Sequence, residues 1–164
     1  MQHSSKKQKH LCASFVEMTF IKRFDHIGVA VRSVDEALKL YRDILGGKVI
    51  LYKLEGTTRD YTYTQFELGG QRIELIEPIE KAGASFLTKF LEERGEGLHH
   101  LTFQVDDILE AIKYLKANNI RIVDEFFEDP IWKVAFISPR NSNGILIQLY
   151  ETQPSSPYDH SDQD

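Results

Sequence analysis

Two eight-residue stretches decide the fold: FDHIGVAV at Phe24–Val31 and LHHLTFQV at Leu98–Val105. In the first, Ile27, Val29 and Val31 alternate with His26, Gly28 and Ala30. In the second, Leu101, Phe103 and Val105 alternate with His100, Thr102 and Gln104. Alternation of this length predicts strands with one apolar face. The two histidines are 74 positions apart, and so are Glu74 and Gln148 in the apolar runs IELI (73–76) and ILIQL (145–149). Each histidine therefore precedes its partner by the same 48 positions.

Working outward, the same order of elements recurs. After the first strand, Ser33 and Glu36 have capping-box spacing, Ala37, Leu40, Tyr41 and Ile44 form an apolar stripe, and Gly46-Gly47 ends the helix. Strands follow near 49–54, 62–68 and 72–76, with a Gly69-Gly70 turn before the last and Pro78 after it. In the second copy, Asp107 and Glu110 occupy the capping positions, Ala111, Ile112 and Leu115 carry the stripe, and Asn118-Asn119 stops the helix. Strands near 121–124, 133–137 and 145–150 complete it, with PRNSNG (139–144) as a turn. The fold class is thus α+β: two βαβββ modules, about 24–78 and 98–151, joined by a short amphipathic helix at about 85–94. The modules form one domain over 21–151. A polar leader (1–20) and an acidic, proline-bearing tail (152–164) are expected to be disordered.

A unit with one helix-covered face leaves its other face to be buried or used. Two copies related by a pseudo-twofold axis would curl those faces around a shared cleft. If Ile27, Val29 and Val31 lie under the helix, His26 points into the cleft, and His100 does the same. His99 is then expected on the opposite face, in a supporting or packing role. His26, Glu74, His100 and Gln148 would meet at one centre. Two imidazoles, a carboxylate and an amide oxygen suit a single divalent ion such as Co, Zn, Ni, Mn or Fe, and the absence of thiolates disfavours structural zinc and iron–sulfur clusters. Tyr63 and Gln65 share a strand face and are candidates to line the cleft. Arg140 in the turn is a candidate contact for an anionic substrate group.

Composition narrows the classes. With 164 residues, 41% of them hydrophobic, the chain can bury a substantial core. A net charge of −5 argues against non-specific nucleic-acid binding. There is no apolar run long enough to span a membrane. One cysteine, Cys12, fits a reducing compartment, and a cytoplasmic location is expected.

These residues resemble the vicinal-oxygen-chelate superfamily (glyoxalases, bleomycin resistance proteins and extradiol dioxygenases), and most closely its methylmalonyl-CoA epimerase family. The matching pieces are DHIGVAV (25–31), IELIEP (73–78), KFLEERGEGLHHLTFQVDDI (89–108), KVAF (133–136) and Ser138-Pro139. RGEGLHH followed by VDDI is specific to the epimerase-like branch, whereas DHIGVAV marks only the superfamily. The resemblance spans about 24–151 and implies paired βαβββ modules, a homodimer, and one divalent metal at His26, Glu74, His100 and Gln148. It further implies removal of the proton next to a thioester carbonyl and its return on the other face, through a metal-stabilised enolate.

In two respects the sequence departs from that pattern. The family places glutamates at the position of Gln148 and near that of Tyr63, and it commonly has glutamine where this chain has Glu74. The carboxylate has moved across the pseudo-twofold axis, so Glu74 becomes the expected proton-transfer residue and Tyr63 the expected acid. FEDP (127–130) also replaces a glycine-rich loop common in the family, which leaves the substrate as an acyl thioester or another carbonyl compound. A glyoxalase-type lyase or isomerase is the first competing reading. A non-catalytic small-molecule binding or resistance protein is the second. An extradiol dioxygenase fits less well, because that group carries its carboxylate at the Gln148 position.

Overall fold

The computed structural model describes residues 20–79, 85–129 and 131–153 of the chain. The expected leader and tail therefore lie almost wholly outside the described residues, as do Cys12 and Pro130. The first module consists of β1 (Ile21–Ala30), α1 (Val34–Leu38) continued by a π-helical turn (Lys39–Ile44), β2 (Lys48–Glu55), β3 (Tyr61–Leu68) and β4 (Gln71–Pro78). Helix α2 (Phe86–Arg94) leads to the second: β5 (Gly97–Val105), α3 (Ile108–Ala117), β6 (Ile122–Phe126), β7 (Trp132–Ile137), a 3-10 turn (Pro139–Asn141) and β8 (Leu146–Thr152).

These strands form one mixed sheet in the order β2-β3-β4-β1-β5-β8-β7-β6. Strands β1 and β5 pair antiparallel at its centre, while β4 and β8 run parallel to the first strand of their own module. The expected α+β architecture of two βαβββ modules is what the chain adopts. The pseudo-twofold axis passes between β1 and β5, so His26 faces Thr102 and Gly28 faces His100 in the register.

Helix α3 buries Ile108, Ala111, Ile112 and Leu115 against Val105, Ala135, Ile137 and Leu149. Full burial of each large aliphatic there contributes about 1.5–3 kcal/mol. In the first module Val34 and Leu38 pack on Val31, Phe66 and Leu75. Helix α2 lies on the concave side, its Leu87 and Leu91 packed on Ala30 and Ile76. Its start carries a capping box in which Ser85 and Thr88 satisfy each other's backbone N–H.

The helix caps follow the sequence reading. Ser33 accepts from Glu36 N, and Asp107 accepts from Leu109 N and Glu110 N. Asn119 closes α3 in the left-handed region at φ 61°. One expectation is corrected. The stripe Ala37, Leu40, Tyr41, Ile44 assumed uninterrupted 3.6-residue turns, but the backbone widens after Leu38, with Leu45 N bonding Leu40 O and Gly47 N bonding Tyr41 O. The wider turn rotates the stripe, so Leu38 and Tyr41 pack inward while Leu40 and Ile44 stand exposed.

Candidate metal centre

His26 projects from β1, Glu74 from β4 and His100 from β5, and all three are buried on the concave face. His26 Nε2 lies 3.3 Å from His100 Nε2, and Glu74 Oε1 lies 3.6 Å from each of them. Ligand atoms spaced this way can hold a metal ion. With metal–ligand bonds of about 2.1 Å, a tetrahedral face has edges of roughly 3.4 Å and an octahedral one about 3.0 Å. The observed spacing falls at or just above that range, and the nitrogen–oxygen donor set suits a borderline divalent cation.

Each imidazole is oriented from behind. Asp25 Oδ2 accepts from His26 Nδ1 at 2.7 Å, which leaves Nε2 directed at the centre. Asp25 Oδ1 in turn accepts from Tyr150 OH at 2.8 Å and Arg23 Nη2 at 3.1 Å. On the other side, His100 Nδ1 lies 3.0 Å from His99 Nδ1, so a proton on His100 Nδ1 donated to His99 frees its Nε2 for a cation. Packing fixes the same ring. A Cβ added to Gly28 would fall 2.0 Å from His100 Cε1, so only glycine leaves room for the imidazole. That is the physical content of the His26-Ile27-Gly28 motif.

His99 is a further correction. Strict alternation put it on the opposite face, yet it lines the same cleft, against the rings of Phe86 and Phe90. Gly28 pairs with His100 and Val29 with Leu98, so His99 is the extra residue of a β-bulge, which re-aims its side chain and shifts the pairing beyond it by one residue.

Electrostatics bind the group together. Burial opposes charge on Glu74, but the charges of His26 and His100 and hydrogen bonds from His26 and Gln65 hold its carboxyl down at about 2. Burial also opposes charge on His26, yet Glu74 and Asp25 outweigh it and raise the imidazole to about 9. Asp25 is buried too, and the bond and charge of His26 lower it to about 2. Burial dominates for His100, lowered to about 3, and for His99, lowered to about 4. These shifts favour a proton on His26, between the Asp25 and Glu74 carboxylates, and disfavour one on His100.

Gln148 joins through an intermediary. Its Oε1 accepts from Thr102 Oγ1 at 3.2 Å, and the same hydroxyl lies 3.0 Å from His26 Nε2. Thr102 is the 74-residue counterpart of Gly28, and the sequence reading had not singled it out. Gln65 faces Glu74 across β3 and β4, and its Nε2 donates to Glu74 Oε2 at 2.8 Å. Tyr63, Gln65, Glu74 and Gln148 all line a cleft of about 1320 Å³. Arg140 is exposed on the 3-10 turn, outside the cleft lining, where Arg59, Lys89 and Arg94 appear instead. Lys89 and Arg94 lie within the KFLEERGEGLHH stretch (89–100), whereas no motif marks Arg59.

The Glyoxalase/Bleomycin resistance protein/Dioxygenase superfamily matches residues 25–136. The chain belongs to this superfamily. It is 33% identical over 142 residues to an uncharacterized protein, YqjC, of Bacillus subtilis, covering 85% of this chain and 99% of that one. It is 30% identical over 139 residues to the mitochondrial methylmalonyl-CoA epimerase of Dictyostelium discoideum, covering 80% of this chain and 79% of that protein. The crystal structure of methylmalonyl-CoA epimerase from Mycobacterium tuberculosis superposes with a TM-score of 0.71 at 25% identity, covering 86% of this chain and 95% of that one. The members of this superfamily bind a divalent metal, and the His26–Glu74–His100 cluster is a group able to hold one here.

Proposed function

We propose that the protein is a divalent-metal-dependent isomerase that moves a proton on the carbon next to a carbonyl, in the manner of a methylmalonyl-CoA epimerase. The observation that carries this reading is the buried convergence of His26 Nε2, His100 Nε2 and Glu74 Oε1 at 3.3–3.6 Å. Those residues would hold the cation, with Gln148 as a fourth donor. A divalent ion there supplies Lewis-acid polarisation of a carbonyl oxygen, which acidifies the neighbouring C–H. Such help matters because Glu74, ionised throughout the neutral range, is a weak base.

Glu74 is assigned the proton transfer and Tyr63, which lines the same cleft, the role of acid. Gln65 holds one oxygen of Glu74 in place while the other faces the imidazoles. Phe86 and Phe90 give the same cleft an apolar wall beside His99. Apolar side chains exposed at the π turn and the β2 edge (Leu40, Ile44, Leu45, Val49, Ile50) support assembly as a homodimer.

Solvent deuterium exchange tests the reading. Metal-loaded protein should wash deuterium into the 2-position of a 2-methyl-branched malonyl thioester, and chelator-stripped protein should not. Metal uptake without exchange into any such thioester would transfer the assignment to a glyoxalase-type lyase or isomerase. The single carboxylate at the centre favours that second reading, since proton transfer on one face needs only one base.

A further inference from the structure

Asp25 and His99 are 74 residues apart, and each immediately precedes a histidine of the metal centre. Both are extra residues of bulges in the β1–β5 pairing. Asp25 falls between Phe24, paired with Phe103, and His26, paired with Thr102; His99 falls between Leu98, paired with Val29, and His100, paired with Gly28. Each meets the Nδ1 of the histidine beside it, Asp25 Oδ2 at 2.7 Å and His99 Nδ1 at 3.0 Å. The two side chains differ at their other end. Asp25 Oδ1 is taken by Tyr150 OH at 2.8 Å and Arg23 Nη2 at 3.1 Å. His99 Nε2 bonds nothing among the described residues, although His99 is only 8% exposed. Nor is this nitrogen sealed in the core, because Gln65 Oε1 is the only fully buried side-chain N or O atom among the described residues that lacks a partner. His99 lines the cleft, its ring 5.2 Å from that of His100 and 4.8 Å from that of Phe90. The space that Nε2 meets is therefore the cleft.

We propose that His99 is a ligand-binding residue whose Nε2–H donates to an oxygen of the carbonyl substrate, and that a cation on His100 is what sets the proton there. This role rests on the metal-dependent reading above and adds a substrate contact to it. A cation takes the lone pair of His100 Nε2, which leaves the ring proton of His100 on Nδ1. That N–H, 3.0 Å from His99 Nδ1, needs an acceptor. His99 Nδ1 supplies the lone pair, so the ring proton of His99 is confined to Nε2, at the cleft. Carbonyl and carboxylate oxygens only accept, and a fixed N–H is their complement. The same bond strengthens as negative charge gathers on a carbonyl oxygen when the neighbouring proton leaves. Asp25 cannot act in this way, since an ionised carboxylate has no proton to give and both of its oxygens are engaged. One bulge closes the centre from behind, and the other opens it to the ligand.

Side-chain NMR and calorimetry on the full chain test this without turnover. In isotope-labelled protein loaded with Zn²⁺, long-range proton–nitrogen correlations should show His99 protonated at Nε2 and bare at Nδ1. The Nε2–H signal should move when a racemic 2-methylmalonyl thioester is added. Two variants separate ligand binding from orientation of His100. His99→Asn keeps an oxygen that can accept from His100 Nδ1 but falls short of the position of Nε2. Its Zn²⁺ affinity should hold, while thioester affinity of the loaded protein falls about tenfold. His99→Gln reaches the position of Nε2 with an amide N–H but loses the acceptor for His100. Its Zn²⁺ affinity should fall about 10–100-fold, while thioester affinity at saturating Zn²⁺ is retained. Should neither variant fold, the two wild-type signals decide. No uptake of Zn²⁺ overturns the metal reading and this proposal together. Zn²⁺ uptake with His99 protonated at Nδ1, an Nε2–H signal that the thioester leaves unmoved, or thioester affinity unchanged in His99→Asn overturns this proposal alone, and deuterium exchange still decides the function.

Discussion

Glu77 and Glu151, 74 residues apart, hold the helices of their modules in the same way. Glu77 Oε2 accepts from Val34 N at 2.6 Å and its Oε1 meets Lys53 Nζ at 2.9 Å. Glu151 Oε2 accepts from Ile108 N at 2.9 Å and its Oε1 meets Lys133 Nζ at 2.9 Å. Val34 and Ile108 are the first residues of α1 and α3, and their N–H groups are ones the Ser33 and Asp107 caps do not reach. The end of each module's last strand thereby anchors the start of its helix. Glu77→Gln and Glu151→Gln should each lower stability by about 1–3 kcal/mol. Chemical denaturation should show this with metal affinity unchanged.

Asp25 provides a sharper separation of stability from binding. Asp25→Asn keeps the shape but removes the charge behind His26. Metal affinity should fall about 10–100-fold, as measured by competition with a chromophoric chelator. An unchanged affinity would show that Tyr150 and Arg23, not His26, are the partners that matter for this carboxylate.

Gly28→Ala should damage the centre from a position that carries no ligand. The new Cβ would have to displace the His100 ring, so metal uptake should be lost or greatly weakened. The accompanying loss of stability should be about 1–3 kcal/mol. Circular dichroism should still report a folded sheet.

The metal-free protein should be most stable near pH 6.5. Above that, His26 keeps its proton in the folded chain up to about 9 while the unfolded chain has released it, so stability declines as pH rises through that window. Below 6.5, His99 and His100 bind protons in the unfolded chain but only near 4 and 3 in the folded one, so stability falls as pH drops. Asp25 and Glu74, with carboxyls near 2, add to the same acid loss below their ordinary values of 3.8 and 4.5. A bound cation must displace the His26 proton. Metal affinity should therefore rise about tenfold per pH unit between 6.5 and 9, with one proton released, and the alkaline decline in stability should disappear. Thermal melts across pH, with and without metal, check both statements.

Much of this was legible because duplication leaves a ruler in the sequence. The 74-residue offset and strict alternation located His26, Glu74 and His100 on one face before any coordinates, and the cap residues located both main helices. What alternation could not show were the places where the backbone leaves its period. The π turn after Leu38 shifts the helix stripe, and the bulge at His99 turns a side chain into the cleft. Neither has a residue signature. The partners that orient the centre were equally hidden, since Asp25 and Tyr150 meet across 125 residues and Thr102 reaches Gln148 across 46. Such contacts exist only once distant strands are paired and the modules docked, the first across the two modules and the second within one.

The seam between β1 and β5 has one more implication. Two separate copies of a single module, closing on each other around an axis, could offer the centre only matched pairs: two carboxylates or two amides. A divalent ion would then sit in a cluster of net charge zero or plus two. Joining the copies in one chain lifts that parity. Glu74 on one side and Gln148 on the other leave a formal charge of plus one, a value that no exact twofold arrangement of these side chains can reach.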